Sequence, residues 1–160
     1  MKRTKTDLIV IHVSATRVVQ DIGVKEIRAW HTNPNKRPRP FADIGYHYVI
    51  RLSGALELGR DTEAVGAHVA GYNRTSIGIC LVGGLGPDGK ASVTFNRAQI
   101  RTLKELLRLL KATYPTINRI VGHRDLSPDL DGDGVVERHE WIKECPCFDV
   151  AHWLETGELK

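Results

Sequence analysis

The sequence predicts an α/β domain, a central mixed β-sheet flanked by α-helices, and three observations carry that prediction. Leu8 to Val13 and the segment SIGICLVG, ending at Gly83, are almost continuously apolar, as strands buried on both faces are. Two stretches show helical spacing instead: Val24, Ile27 and Trp30 early in the chain, and Ile100, Leu103, Leu106, Leu107 and Leu110 later. Between them GYHYVIRL, the Ser53-Gly54 turn and ALEL read as a hairpin, which adds an antiparallel pair.

Taken in order, the first apolar strand ends on a polar group, His12. The helix VKEIRAWH gives way at Pro34, Pro38 and Pro40 to a basic, exposed loop. Tyr46 opens the hairpin strand directly after Gly45, with Tyr48 on the same face. Asn96 and Gln99 have the form of a capping box for the long helix, which Pro115 stops. A short strand, RIVG, leads to His123, and a last helix over Val150 to Glu155 buries Trp153 before Gly157 ends it. With 160 residues, 41% of them hydrophobic, and neither repeats nor a linker, we expect one domain spanning residues 1–160.

The net charge of +4 is spread along the chain, which argues against nucleic acid as the partner. Asp7 interrupts the apolar run near the start, so we expect neither a signal peptide nor a membrane-inserted helix. Three cysteines cannot all pair with one another, and Cys145 and Cys147 are too close for a comfortable disulfide, so reduced thiols or a metal are expected.

A catalytic zinc needs three protein ligands and an open fourth position. His12 and His123 each follow an apolar strand, and KECPCFD offers the Cys145 thiolate in a later loop. Spacing alone leaves two readings open: these three ligands, or two satisfied histidines and a small buried cysteine. A second ion site is more local. Residues 129–140, DLDGDGVVERHE, fit the calcium-loop pattern with Asp129, Asp131, Asp133, the Val135 carbonyl, Glu137 and bidentate Glu140, and with Gly134 at the turn. Ser127-Pro128 argues against the usual entering helix, which leaves an inserted, EF-hand-like calcium loop, the alternative being an acidic surface turn that binds nothing strongly.

IVIHVSAT, DIGYHYVI, VGAHVAGYNRTSIGICLVGG, VGHRD and KECPCFD, in this order, resemble the N-acetylmuramoyl-L-alanine amidases of the phage lysozyme type, a fold shared with the peptidoglycan recognition proteins. The resemblance runs from about Leu8 to Trp153. It implies a zinc enzyme that hydrolyses the amide between N-acetylmuramic acid and L-alanine in peptidoglycan. The metal ligands fall on His12, His123 and Cys145, the catalytic tyrosine and lysine on Tyr46 and Lys143, and substrate-groove positions on His68 and Asn73. Cys147 falls where no ligand is expected, and His31, His139 and His152 are assigned to surface or packing. The 129–140 segment is longer than the corresponding connection in the shortest family members.

A muropeptide-binding module without activity is the rival from another class. It can dispense with Cys145 or Tyr46, and this sequence keeps both. Among enzymes the resemblance favours a phage or prophage endolysin over a cytosolic muropeptide-recycling amidase. The expected protein is a monomer that accumulates in the cytoplasm and reaches the cell wall after release through the host membrane.

Overall fold

The computed structural model describes residues 1–160. Strand β1 (Leu8–Val13) lies inside a five-stranded sheet whose other members are β3 (Tyr48–Ile50), β4 (Leu56–Leu58), β5 (Ser76–Leu81) and β7 (Arg119–Gly122), in the order β4-β3-β5-β1-β7. β1 pairs in parallel with β5, His12 opposite Cys80, and with β7, Leu8 opposite Arg119. Only β4 runs antiparallel, against β3, so the sheet is mixed as expected. β2 (Thr16–Arg17) and β6 (Gly84–Leu85) form a small parallel pair that no sequence pattern marks.

All six residues of β1 and all six of β5 are buried. Ile9, Ile11 and Val13 point with Ile77, Ile79 and Leu81 to one face, where α2 (Arg97–Thr113) and α3 (Val150–Thr156) supply Leu103, Leu106, Leu107, Leu110 and Trp153. Full burial of each such aliphatic side chain contributes about 1.5–3 kcal/mol. The other face of β1 carries Leu8 and Val10, packed on Val69 and Leu126, and it is this face that His12 shares. The α1 helix (Val24–Thr32) covers the same side with Val24 and Ile27, beside Ile44 and Val49.

The capping box at α2 is formed: Asn96 Oδ1 accepts from Ala98 N and Gln99 N at 2.9 and 3.1 Å, and Gln99 Oε1 accepts from Asn96 N at 3.3 Å. Gln99 is itself buried, and its Nε2 donates to Val82 O at 2.8 Å, tying the helix to the end of β5.

Two expectations are corrected. Tyr46 does not share a face with Tyr48: regular pairing begins only at Tyr48, and the preceding segment turns Tyr46 toward Ile44 and Val49 while Tyr48 packs on the opposite core. In keeping with Ser127-Pro128, no helix enters the 129–140 loop: one 3-10 turn, Arg124–Leu126, precedes it and another, Arg138–Glu140, forms its end. The cations are not all spread along the surface, because the outer face of α2 gathers Arg97, Arg101, Lys104, Arg108 and Lys111, all exposed.

Candidate metal centre and its groove

His12 Nδ1 lies 3.1 Å from His123 Nδ1 and 3.8 Å from Cys145 Sγ, and the three donor atoms are all within 4.8 Å of one another. Tetrahedral zinc with Zn–N near ~2.05 Å and Zn–S near ~2.3 Å separates two nitrogens by about 3.3 Å and a nitrogen from a sulfur by about 3.6 Å. The donor set therefore fits zinc in both chemistry and spacing.

Backbone hydrogen bonds join the three segments. His123 N donates to Ile11 O at 3.2 Å, Arg124 N donates to Cys145 O at 2.8 Å, and Val13 N donates to Cys145 Sγ at 3.3 Å. Gly122 allows this approach, since a Cβ there would meet Pro146 Cδ at 2.4 Å. The Arg124 guanidinium stacks over Trp141 at 4.1 Å and holds the Trp141 to Cys145 stretch against the turn after β7.

A hydrogen-bond chain fixes the tautomer of His12. Ser76 Oγ spends its only proton on Tyr72 O at 2.8 Å, so it accepts from His68 Nε2 at 3.2 Å. That leaves His68 Nδ1 as an acceptor, 3.0 Å from His12 Nε2, which therefore carries the proton. The lone pair of His12 Nδ1 is free for a metal. Room for the His68 ring comes from Gly78 in β5, where a Cβ would lie 2.6 Å from His68 Cγ.

Burial and the neighbouring His68 and His123 hold the pKa of His12 well below the ordinary histidine value; burial and then Lys143 lower that of His123 to about 4. Both rings are neutral donors at pH 7. Burial pushes the Cys145 thiol up to about 12, so it is protonated until a divalent cation displaces the proton.

Tyr46 lies with its ring centroid 5.1 Å from that of His12. Burial, then Cys80 and Cys145, raise its phenol well above the usual 10, which keeps it a proton-bearing donor. Its backbone is held by His31, whose Nδ1 accepts from Gly45 N at 3.0 Å and whose ring stands 5.4 Å from Tyr46. Lys143, His68, Asn73, His123, Phe41 and Val69 line a groove of about 340 Å³ at the mouth of the centre.

The structure thus brings together His12, His123, Cys145, Tyr46, Lys143 and His68. Asn73 lines the groove, but its Oδ1 is occupied by His68 N and Val69 N at 2.8 and 3.0 Å. His68 likewise has both ring nitrogens engaged within the protein, so its visible work is to hold His12. His31 and Ser76 were not legible as site residues. The available signal was Ser76 and Gly78, small residues alternating in an apolar strand, which leave space for a ring.

In the acidic loop, Asp129, Asp131 and Glu140 bring one carboxylate oxygen each within 4.8 Å of one another. Glu137 groups instead with Asp131 and His139, and Asp133 joins neither cluster, its Oδ1 accepting from Val135 N at 2.8 Å. The Val135 side chain is exposed.

A family model for N-acetylmuramoyl-L-alanine amidases matches residues 2–146. The chain belongs to the N-acetylmuramoyl-L-alanine amidase family. This amidase is 40% identical over 158 residues to the endolysin of Escherichia phage T7, and 42% identical over 158 residues to that of Klebsiella phage KP32, each match covering 99% of this chain and 91% of the relative. Among solved structures it is similar to the N-acetylmuramoyl-L-alanine amidase LysC from Clostridium intestinale, with a TM-score of 0.65 and 27% identity over 89% of this chain and 76% of that one. Bumblebee PGRP-SA has the same fold, with a TM-score of 0.67 at 17% identity over 98% of this chain and 87% of that one. The activity that names the family is cleavage of the muramoyl-alanine amide of peptidoglycan.

Proposed function

We propose that this amidase is a zinc-dependent phage or prophage endolysin that cuts peptidoglycan between N-acetylmuramic acid and L-alanine. The carrying observation is the convergence of His12 Nδ1, His123 Nδ1 and Cys145 Sγ at the mouth of a groove that also presents Lys143, with Tyr46 beside His12. A zinc ion held by these three donors supplies Lewis acidity at a position open to substrate.

Water adds to the lactyl carbonyl carbon, the C–N bond breaks, and the alanine nitrogen leaves as an amine after taking a proton. The Tyr46 phenol orients the water and assists proton transfer. The Lys143 ammonium stabilises the tetrahedral oxyanion. His68 keeps His12 in the metal-binding tautomer, and Asn73 shapes the groove wall that receives the stem peptide.

The endolysin role is favoured over muropeptide recycling by similarity along nearly the whole chain to phage proteins named endolysins. No helix is long and apolar enough to cross a membrane. In this reading the enzyme acts as a monomer and reaches the wall after release through the host membrane. We further propose that the loop at 129–140 takes calcium as structural support, on the ground that Asp129, Asp131 and Glu140 bring carboxylate oxygens within 4.8 Å of one another.

The test is incubation of the purified protein with defined peptidoglycan, with and without zinc chelation and as Cys145→Ala, with products read by mass spectrometry. Stem peptides beginning at L-alanine are expected, lost in both controls. Sacculi that bind the protein yet stay intact would replace the enzyme with a recognition module.

A further inference from the structure

We propose that the outer face of α2 is a second, electrostatic binding surface for polymeric peptidoglycan, separate from the catalytic groove. This rests on the amidase reading above. Arg97, Arg101, Lys104, Arg108 and Lys111 follow one another at spacings of four and three residues, which places them within an arc of about 80° along about 21 Å of helix. All five are exposed, and none is in an ion pair. The stripe gathers five of the chain's 23 Lys and Arg on one face of a helix whose only acidic residue is Glu105.

The arrangement works against helix stability. Like charges three and four residues apart repel, and Arg97 stands in the first turn, which carries no acidic residue and where the helix dipole disfavours a cation. A solubilising surface would mix signs evenly along the helix, whereas here Glu105, beside Arg101 and Arg108, is the single acidic residue of α2. Beside the stripe, Arg97, Arg101 and Lys104 flank a cleft of about 550 Å³ that also contains Phe95, Ile100 and Leu159; with three cations against the one carboxylate of Glu105 its lining is net positive, a setting for an acidic glycopeptide.

The substrate polymer supplies the matching charge, because each stem peptide carries free carboxylates and the strands repeat them at close intervals. α2 packs on one face of the sheet, and His12 points from the other. A stem peptide in the groove therefore cannot reach the stripe, and the stripe must engage a neighbouring strand. This contact exists for a meshwork and not for a small muropeptide. The apolar side of α2 is spent on the core, so insertion into lipid is not open to it.

The experiment uses the full chain carrying Arg97→Gln, Arg101→Gln and Arg108→Gln together. A second variant, with Lys25→Gln, Lys90→Gln and Arg119→Gln, makes the same change in net charge elsewhere. Co-sedimentation with purified sacculi, melting temperature, and cleavage of sacculi and of a soluble muropeptide are measured at low and high salt. The stripe variant is expected to bind sacculi roughly tenfold more weakly at low salt, with the difference vanishing at high salt. Its melting temperature should be equal or higher, and its turnover of the soluble muropeptide unchanged.

Unchanged sacculus binding, or an equal loss in the second variant, would overturn the proposal. So would stripe-dependent binding to DNA or anionic vesicles with sacculi unaffected. If the unmodified protein cleaves neither substrate, the amidase reading fails, while co-sedimentation still reports on the surface.

Discussion

The metal centre and the acidic loop are both clusters of ligand-type residues, yet they are held in opposite ways. His12, His123 and Cys145 come from a buried strand, a strand end and a late loop, and backbone hydrogen bonds between those segments set their spacing. The loop at 129–140 is held by itself: Asp129 accepts from Gly132 N and Gly134 N at 2.7 and 2.9 Å, and Glu140 accepts from Leu130, Asp131 and Glu137 N. A long-range frame leaves lone pairs over and aims them at a common point. A local frame uses its carboxylates to make the turn, so a complete ligand pattern there says less about an ion.

Four experiments sharpen or break this contrast. The largest effect is expected at Lys143, where Lys143→Gln should lower kcat on soluble muropeptide by ~10²- to 10³-fold with zinc content unchanged. A loss shared equally by zinc content would make Lys143 part of the frame and not of the chemistry. Next comes the second layer: His68→Ala should weaken zinc binding by roughly 10- to 100-fold in chelator competition. His68→Asn, which keeps an acceptor near His12 Nε2, should recover part of it, and equal affinity in all three proteins would remove the tautomer argument.

The third experiment is titration of the metal-free protein. His47 is fully buried, its Nδ1 accepting from Gly78 N at 2.9 Å, and burial lowers its pKa to about 4. Its neutral form is favoured in the fold, so its contribution is complete above the unfolded value near 6.5 and is lost as pH falls through about 4. Urea unfolding should show about 2 kcal/mol of this loss by pH 4.5, and His47→Gln should flatten the slope. The smallest effect concerns the loop: millimolar calcium should raise the melting temperature by about 2–4 °C, and Glu140→Gln should abolish the increment. A melt insensitive to calcium in the unmodified protein would leave the loop as a self-satisfied turn.

What the sequence disclosed follows the same division. β1, β5 and α2 were legible because burial on both faces, or on one stripe, writes an apolar period into the chain itself. The calcium pattern was legible because all its members are local. The metal trio was proposed from element ends and secured only by family resemblance, since meeting depends on the parallel pairing of β1 with β7 and on a loop returning from residue 145. His68 was placed in the groove, but its partnership with His12 needs the space above Gly78, which no spacing reveals. The stripe on α2 was present in the sequence as a four-three repeat of cations, and counting charge along the chain instead of around the helix hid it.

The positions of the ligands also set a timetable. With the first at residue 12 and the last at residue 145, an amino-terminal portion of the nascent chain that stops before residue 145 lacks a complete donor set. In the proposed reading, a product interrupted before that point carries at most two of the three donors, so metal loading waits on synthesis of the Cys145 loop.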